Sequence, residues 1–125
     1  DARRLPQGSP EEKAVREAAM LEGLKIAVNV PFQTAKLSFE AMQAAAAVIE
    51  HGNPASITDG MVGVQMGFAG VRGGIWNVLI NLKDISDAAY NAQMKTACET
   101  LLAEARALMD CALAEGDARL SAMLK

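Results

Sequence analysis

Between Asn53 and Asn81, alternating steps of three and four residues reach Asn53, Ser56, Gly60, Gly63, Gly67, Gly70, Gly74, Asn77 and Asn81. That spacing keeps the residues on one side of an α-helix, and the middle of that side has no side chains. A glycine in a helix interior costs about 0.8–1.0 kcal/mol relative to alanine. Five of them on one seam imply that another backbone must approach closely, so Gly60, Gly63, Gly67, Gly70 and Gly74 are read as a helix-packing seam. The intervening Met61, Val62, Val64, Met66, Phe68, Ile75, Trp76, Val78, Leu79 and Ile80 are apolar, which predicts a helix buried on most sides.

The remaining chain also reads as helix. Ser9 is placed to cap a first helix, with Pro10 at its first position and Glu12 completing a capping box. Ala14, Ala18, Leu21, Leu24 and Val28 then recur at helical spacing up to Val30-Pro31. Proline removes a backbone donor and restricts the residue before it, so a kink or short break is expected near Pro31. A second run from Phe32 to about Ile49 stops at His51-Gly52-Asn53-Pro54. The seam helix opens near Ser56 to Asp59, and a last one starts around Ser86-Asp87, with an apolar stripe from Tyr90 to Leu113. No alternating strand pattern is present. The expectation is an all-α fold, a bundle of four to five long helices in one domain of 125 residues.

Charge and cysteine usage narrow the function classes. A formal net charge of −3, with Arg3, Arg4 and Arg16 too scattered to form a basic face, argues against nucleic acid as partner. Residues 60–82 have the length of a membrane span, but Arg72, Gln65, Asn77 and Asn81 are costly in hydrocarbon, so no membrane is expected. Cys98 and Cys111 fit no zinc spacing and read as free thiols of a cytoplasmic protein; no metal site is expected. The N-terminus lacks the apolar stretch of a secretory signal. Because the chain starts at Asp1 rather than Met, it is expected to be part of something longer. The last helix would be about 55 Å long at 1.5 Å per residue, more than a bundle of this size covers, so homo-oligomerisation is expected.

Asp59 is the residue with the clearest chemical potential, the lone carboxylate at the mouth of a segment nearly free of charge until Lys83. It is either a proton-transfer group or a first-turn cap. Asn77 and Asn81, one turn apart, can serve a single planar polar ligand. Asp59 lies five turns before Asn77, about 27 Å along the axis, so a shared site requires a long ligand or an antiparallel second copy. His51 has no serine or cysteine placed beside it for nucleophilic catalysis.

Three stretches, LPQGSPEEKAVREAA (5–19), VPFQTAKLSFEAMQAA (30–45) and GNPASITDGMVGVQMGFAGVRGGIWNVLINLKDI (52–85), together resemble the cyclodeaminase/cyclohydrolase family. That family occurs as the C-terminal domain of formiminotransferase-cyclodeaminase and as stand-alone methenyltetrahydrofolate cyclohydrolases. The most specific strings are N-P-x-S-x-x-D-x-x-V-G and N-V-x-I-N-L. The resemblance implies an all-helical homodimer or higher homo-oligomer acting on a tetrahydrofolate derivative as substrate, with no bound cofactor. It implies a lyase or hydrolase reaction: closure of 5-formiminotetrahydrofolate with loss of ammonia, or hydrolysis of 5,10-methenyltetrahydrofolate. Asp59 falls on a motif position as the candidate catalytic residue, and Asn53, Ser56, Asn77 and Asn81 as candidate substrate-binding residues. Family members carry further helices before this region, so the chain is expected to be the C-terminal portion of such a domain. A non-catalytic self-association or folate-binding module derived from the family is the alternative.

Overall fold

A computed structural model describes residues 1–125. It is all-α, with three long helices where four to five were expected: α1 (Pro10–His51), α2 (Ile57–Leu82) and α3 (Ala88–Met123). Short 3-10 turns at Ala2–Arg4 and Pro54–Ser56 complete it. The Ser9 hydroxyl accepts from the Glu12 amide at 3.1 Å, and the Glu12 carboxylate accepts from the Gly8 amide at 3.2 Å, so α1 starts as its capping residues dictate.

The break expected at Pro31 does not occur, and α1 continues through it to His51. The proline leaves the Ala27 carbonyl without its helical donor, yet Ala27 is exposed, where water can serve that carbonyl. On either side of Pro31, Val28, Ala35, Met42 and Ile49 recur every seven residues and are fully buried. Their burial against α2 and α3 holds both halves in one helix.

The glycine seam explains how α2 lies against α1. A Cβ added to Gly60 would sit 3.0 Å from the Ala45 carbonyl oxygen, one on Gly63 2.9 Å from the Ala45 Cβ, and one on Gly74 2.6 Å from the Pro31 carbonyl oxygen. Gly67 and Gly70 face Met42 and Ser38. Small residues on α1 and absent side chains on α2 let the two helices approach almost backbone to backbone. The close crossing lies within one chain.

Helix α3 covers one flank of this pair. Its amide at Tyr90 is capped by the Asp87 carboxylate at 3.0 Å, and that carboxylate is also held by Lys25 Nζ at 3.1 Å. Met61, Phe68 and Ile75, seven apart on α2, meet Gly116, Arg106 and the Cys98 region of α3. Arg119 donates to the Ile49 carbonyl at 2.9 Å, closing the end of α1. No helix is long and apolar enough to cross a membrane.

Candidate functional site

The five polar candidates divide between the two ends of α2. At its start, the Asn53 side chain accepts from the Ala55 amide at 3.0 Å and fixes the 3-10 turn. Ser56 stands at the N-cap of α2 without a side-chain cap bond. Asp59 is exposed in the first turn, where the helix dipole favours a negative charge.

At the other end, Asn77 Nδ2 donates to the Gly73 carbonyl at 3.1 Å, and Asn81 Nδ2 to the Asn77 carbonyl at 2.8 Å. They border a groove of about 340 Å³ between α1 and α2, shared with Ala27, Val30 and Thr34. The α1 residues of this groove were not singled out by the sequence reading. Pro31 was the available signal, because an in-helix proline exposes a carbonyl one turn before it. One chain does not bring Asp59 to the asparagines: α2 is straight-through helix, and the separation remains about 27 Å.

Both groups do share a face. Asp59, Met66, Gly73 and Ile80 follow each other at seven-residue intervals along the flank of α2 opposite the one that meets α3. Val62 and Trp76 lie next to them on α2, and Val30 of α1 borders the groove beside Asn77 and Asn81. Met66 is 68% exposed, Val30 64% and Trp76 59%. Exposed large apolar residues gathered on one face are what a surface that meets a partner typically carries. The Arg72 guanidinium stacks 4.9 Å from the Trp76 ring centre, on the outer edge of this surface.

Asp87 is held below the usual carboxylate range, first by the Tyr90 amide and then by Lys25. Burial raises the Tyr90 hydroxyl and the Cys98 thiol. His51 is exposed beside Glu50, at 3.5 Å. No His, Cys, Asp and Glu side chains are gathered to hold a metal ion.

A profile of the family described as formiminotransferase-cyclodeaminase matches residues 1–100. The chain is 39% identical over 104 residues to a methenyltetrahydrofolate cyclohydrolase of Methylorubrum extorquens, an alignment covering 83% of this chain and 50% of that protein. It is 39% identical over 106 residues to a formimidoyltransferase-cyclodeaminase of Gallus gallus, covering 85% of this chain and 20% of that protein. With the protein of the same name from Sus scrofa the identity is 40% over 105 residues, covering 84% and 19%. The chain therefore spans about half the length of the bacterial relative and about a fifth of the animal ones.

Proposed function

The chain belongs to the formiminotransferase-cyclodeaminase family, and on that premise we propose that it acts in folate one-carbon metabolism, on a carbon held between N5 and N10 of tetrahydrofolate. In the deaminase direction N10 attacks the formimino carbon, the C–N bond to the imino nitrogen breaks, and a proton must reach the departing ammonia. In the hydrolase direction water adds to the methenyl carbon, loses a proton, and the bond to N5 breaks with a proton delivered there. Each needs one group that gives and takes protons, and Asp59 is our candidate. Asn53, Ser56, Asn77 and Asn81 are candidates for holding the substrate, and the reaction calls on no bound cofactor.

The observation that carries this reading is the shared face: Asp59 and the two asparagines border one uncovered apolar surface of α1 and α2 in a chain whose relatives are named for folate enzymes. A second copy packed antiparallel on that surface would bury Val62, Met66, Trp76 and Ile80 and set its Asn77 and Asn81 toward Asp59. Residues 1–125 act on this reading as one helical unit, the C-terminal portion of a cyclodeaminase/cyclohydrolase domain, in the cytoplasm, where both free thiols stay reduced.

The test is turnover of 5-formiminotetrahydrofolate and of 5,10-methenyltetrahydrofolate, followed by the absorbance of the methenyl form. Asp59→Asn should keep the helical circular dichroism and lose turnover; a variant as fast as the wild type removes Asp59 from the mechanism. Reduced-folate binding without turnover by the wild type would select the non-catalytic folate-binding alternative.

A further inference from the structure

The carbonyls at the end of α1 lack their ordinary donors. The Glu50 carbonyl would take its helical N–H from residue 54, but that residue is Pro54 and has none. Gly52 leaves the helix in an extended conformation, with φ −78° and ψ 178°, so the left-handed turn that commonly closes a helix end is absent. The Val48 carbonyl receives the Gly52 amide at 2.8 Å. The next two carbonyls are served from α3 instead: Arg119 Nη1 donates to Ile49 at 2.9 Å and to Glu50 at 3.3 Å. Its other terminal nitrogen, Nη2, pairs with the Glu115 carboxylate one turn earlier at 2.8 Å, which aims the guanidinium. Gly116 brings the same end of α3 onto α2, because a Cβ there would lie 2.7 Å from the Met61 side chain. Arg119 and Gly116 thus clasp the end of α1 and the start of α2, the two sides of the turn that carries Asn53 and Ser56 and leads into Asp59. Arg119 lies beyond residues 1–100, the stretch that the family profile matches.

We propose that Arg119 is a positioning residue for Asp59: it fixes the end of α1, and through it the turn that sets where α2 begins and where Asp59 stands. This rests on the reading of Asp59 as the proton-transfer group. Arg119 acts through the backbone, because Asp59 lies on the flank of α2 away from α3. The hydrogen bonds within the turn are local, Asn53 accepting from the Ala55 amide at 3.0 Å through its side chain and from the Ser56 amide at 2.8 Å through its carbonyl. They shape the turn without tying it to the bundle. The two bonds from Arg119 are the side-chain hydrogen bonds that join residues 49–60 to another element. A guanidinium suits the task because its donors lie in a fixed plane, whereas an ammonium offers a single flexible point of charge. Misplacing a reacting group by about 1 Å lowers turnover by on the order of a hundredfold, so the tie bears on chemistry as well as on order.

The experiment compares the wild type with Arg119→Met, Arg119→Lys and Lys25→Met, by amide hydrogen exchange read with NMR and by turnover of 5-formiminotetrahydrofolate and 5,10-methenyltetrahydrofolate. Arg119→Met keeps an apolar stem and removes the donors. Lys25→Met loosens the other end of α3, at Asp87, and is the control for a general loss of packing. Circular dichroism establishes that each variant is folded. Arg119→Met should speed exchange of the Ala55 and Ser56 amides by roughly tenfold, the worth of a hydrogen bond from a charged donor. It should lower kcat by on the order of ten- to a hundredfold with KM unchanged. Arg119→Lys should recover part of both effects, and Lys25→Met should show neither. Exchange at Ala55 and Ser56 that Arg119→Met leaves unchanged, or that Lys25→Met raises equally, overturns the positioning role. Faster exchange with wild-type kcat overturns it too, and in all three cases an active wild type leaves the reading of Asp59 standing. A wild type inactive on both folates, or Asp59→Asn as fast as the wild type, overturns that reading and the positioning role with it.

Discussion

Gly73 and Gly74 are neighbours on α2, and adding a methyl group to each should move stability in opposite directions. At Gly73 a Cβ would meet nothing within 4 Å, so Gly73→Ala should gain the helix-propensity difference, up to about 1 kcal/mol. At Gly74 the same atom would lie 2.6 Å from the Pro31 carbonyl oxygen, 2.8 Å from the Ala35 Cβ and 3.0 Å from the Ala35 amide nitrogen. Two of the three are backbone atoms of α1, which cannot swing aside as a flexible side chain would. The crossing itself must open by several tenths of an ångström. Overpacking of this kind costs roughly 1–3 kcal/mol, and the rigid partner puts Gly74→Ala in the upper part of that range. Offset by the same propensity gain, its net loss should be about 1–2 kcal/mol, separating the two variants by some 2–3 kcal/mol. Gly23, which also has open space around it, provides a second control far from the seam. Urea unfolding followed by circular dichroism, with equal slopes for all variants, gives these differences directly. Gly74→Ala as stable as Gly73→Ala and Gly23→Ala would show that α1 and α2 do not meet along the seam, and would refute the packing argument.

Removing the first cap of α1 by Ser9→Ala should cost about 1 kcal/mol in the same assay; no change would mean that residues around Gly8 contribute nothing to folding. Because the Asp87 carboxyl is held below its ordinary value of 3.8, its contribution is present above that value and lost as pH falls through the lower folded-state value. Asp87→Ala should therefore lower Tm at pH 7 and differ less from the wild type at pH 3; an equal gap at both pH values would contradict the assigned contacts with Tyr90 and Lys25. Cys111 is exposed and Cys98 buried with its thiol pushed up by that burial, so a disulfide exchange reagent should consume one thiol quickly in the folded protein and the second only on unfolding. Two fast equivalents would place Cys98 in solvent. If a second copy covers the open face, Met66→Glu should lower the sedimenting mass toward that of the 13.2 kDa chain, while an unchanged mass would exclude that face as the interface.

The sequence determined whatever depends on neighbours within a turn or two. Ser9 and Glu12 set the start of α1, His51-Gly52-Asn53-Pro54 its end, and Asp87 the start of α3, because caps and turn residues act through hydrogen bonds spanning a few residues. The seam was legible as a demand for close backbone approach, since five glycines on one helical side are too costly without a return. The N-P-x-S-x-x-D and N-V-x-I-N-L strings also pointed to the family from the residues alone.

Tertiary structure decided what those local signals leave open. Pro31 predicts a kink or short break, because a proline inside a helix costs about 3 kcal/mol locally, yet α1 runs on through it. The penalty is outweighed by burial of Val28, Ala35, Met42 and Ile49 on both sides of it, a gain that exists only once α2 and α3 are in place. The seam specifies a small-residue partner but not which one; the choice of Ala35, Ser38 and Ala45 on α1 follows from the antiparallel return of the chain. Likewise, one helical register puts Asp59, Asn77 and Asn81 within reach of a common face, while only the docking of α3 on the opposite flank leaves that face uncovered. Each of these outcomes turns on surface buried between residues far apart in sequence, and such burial has no local trace.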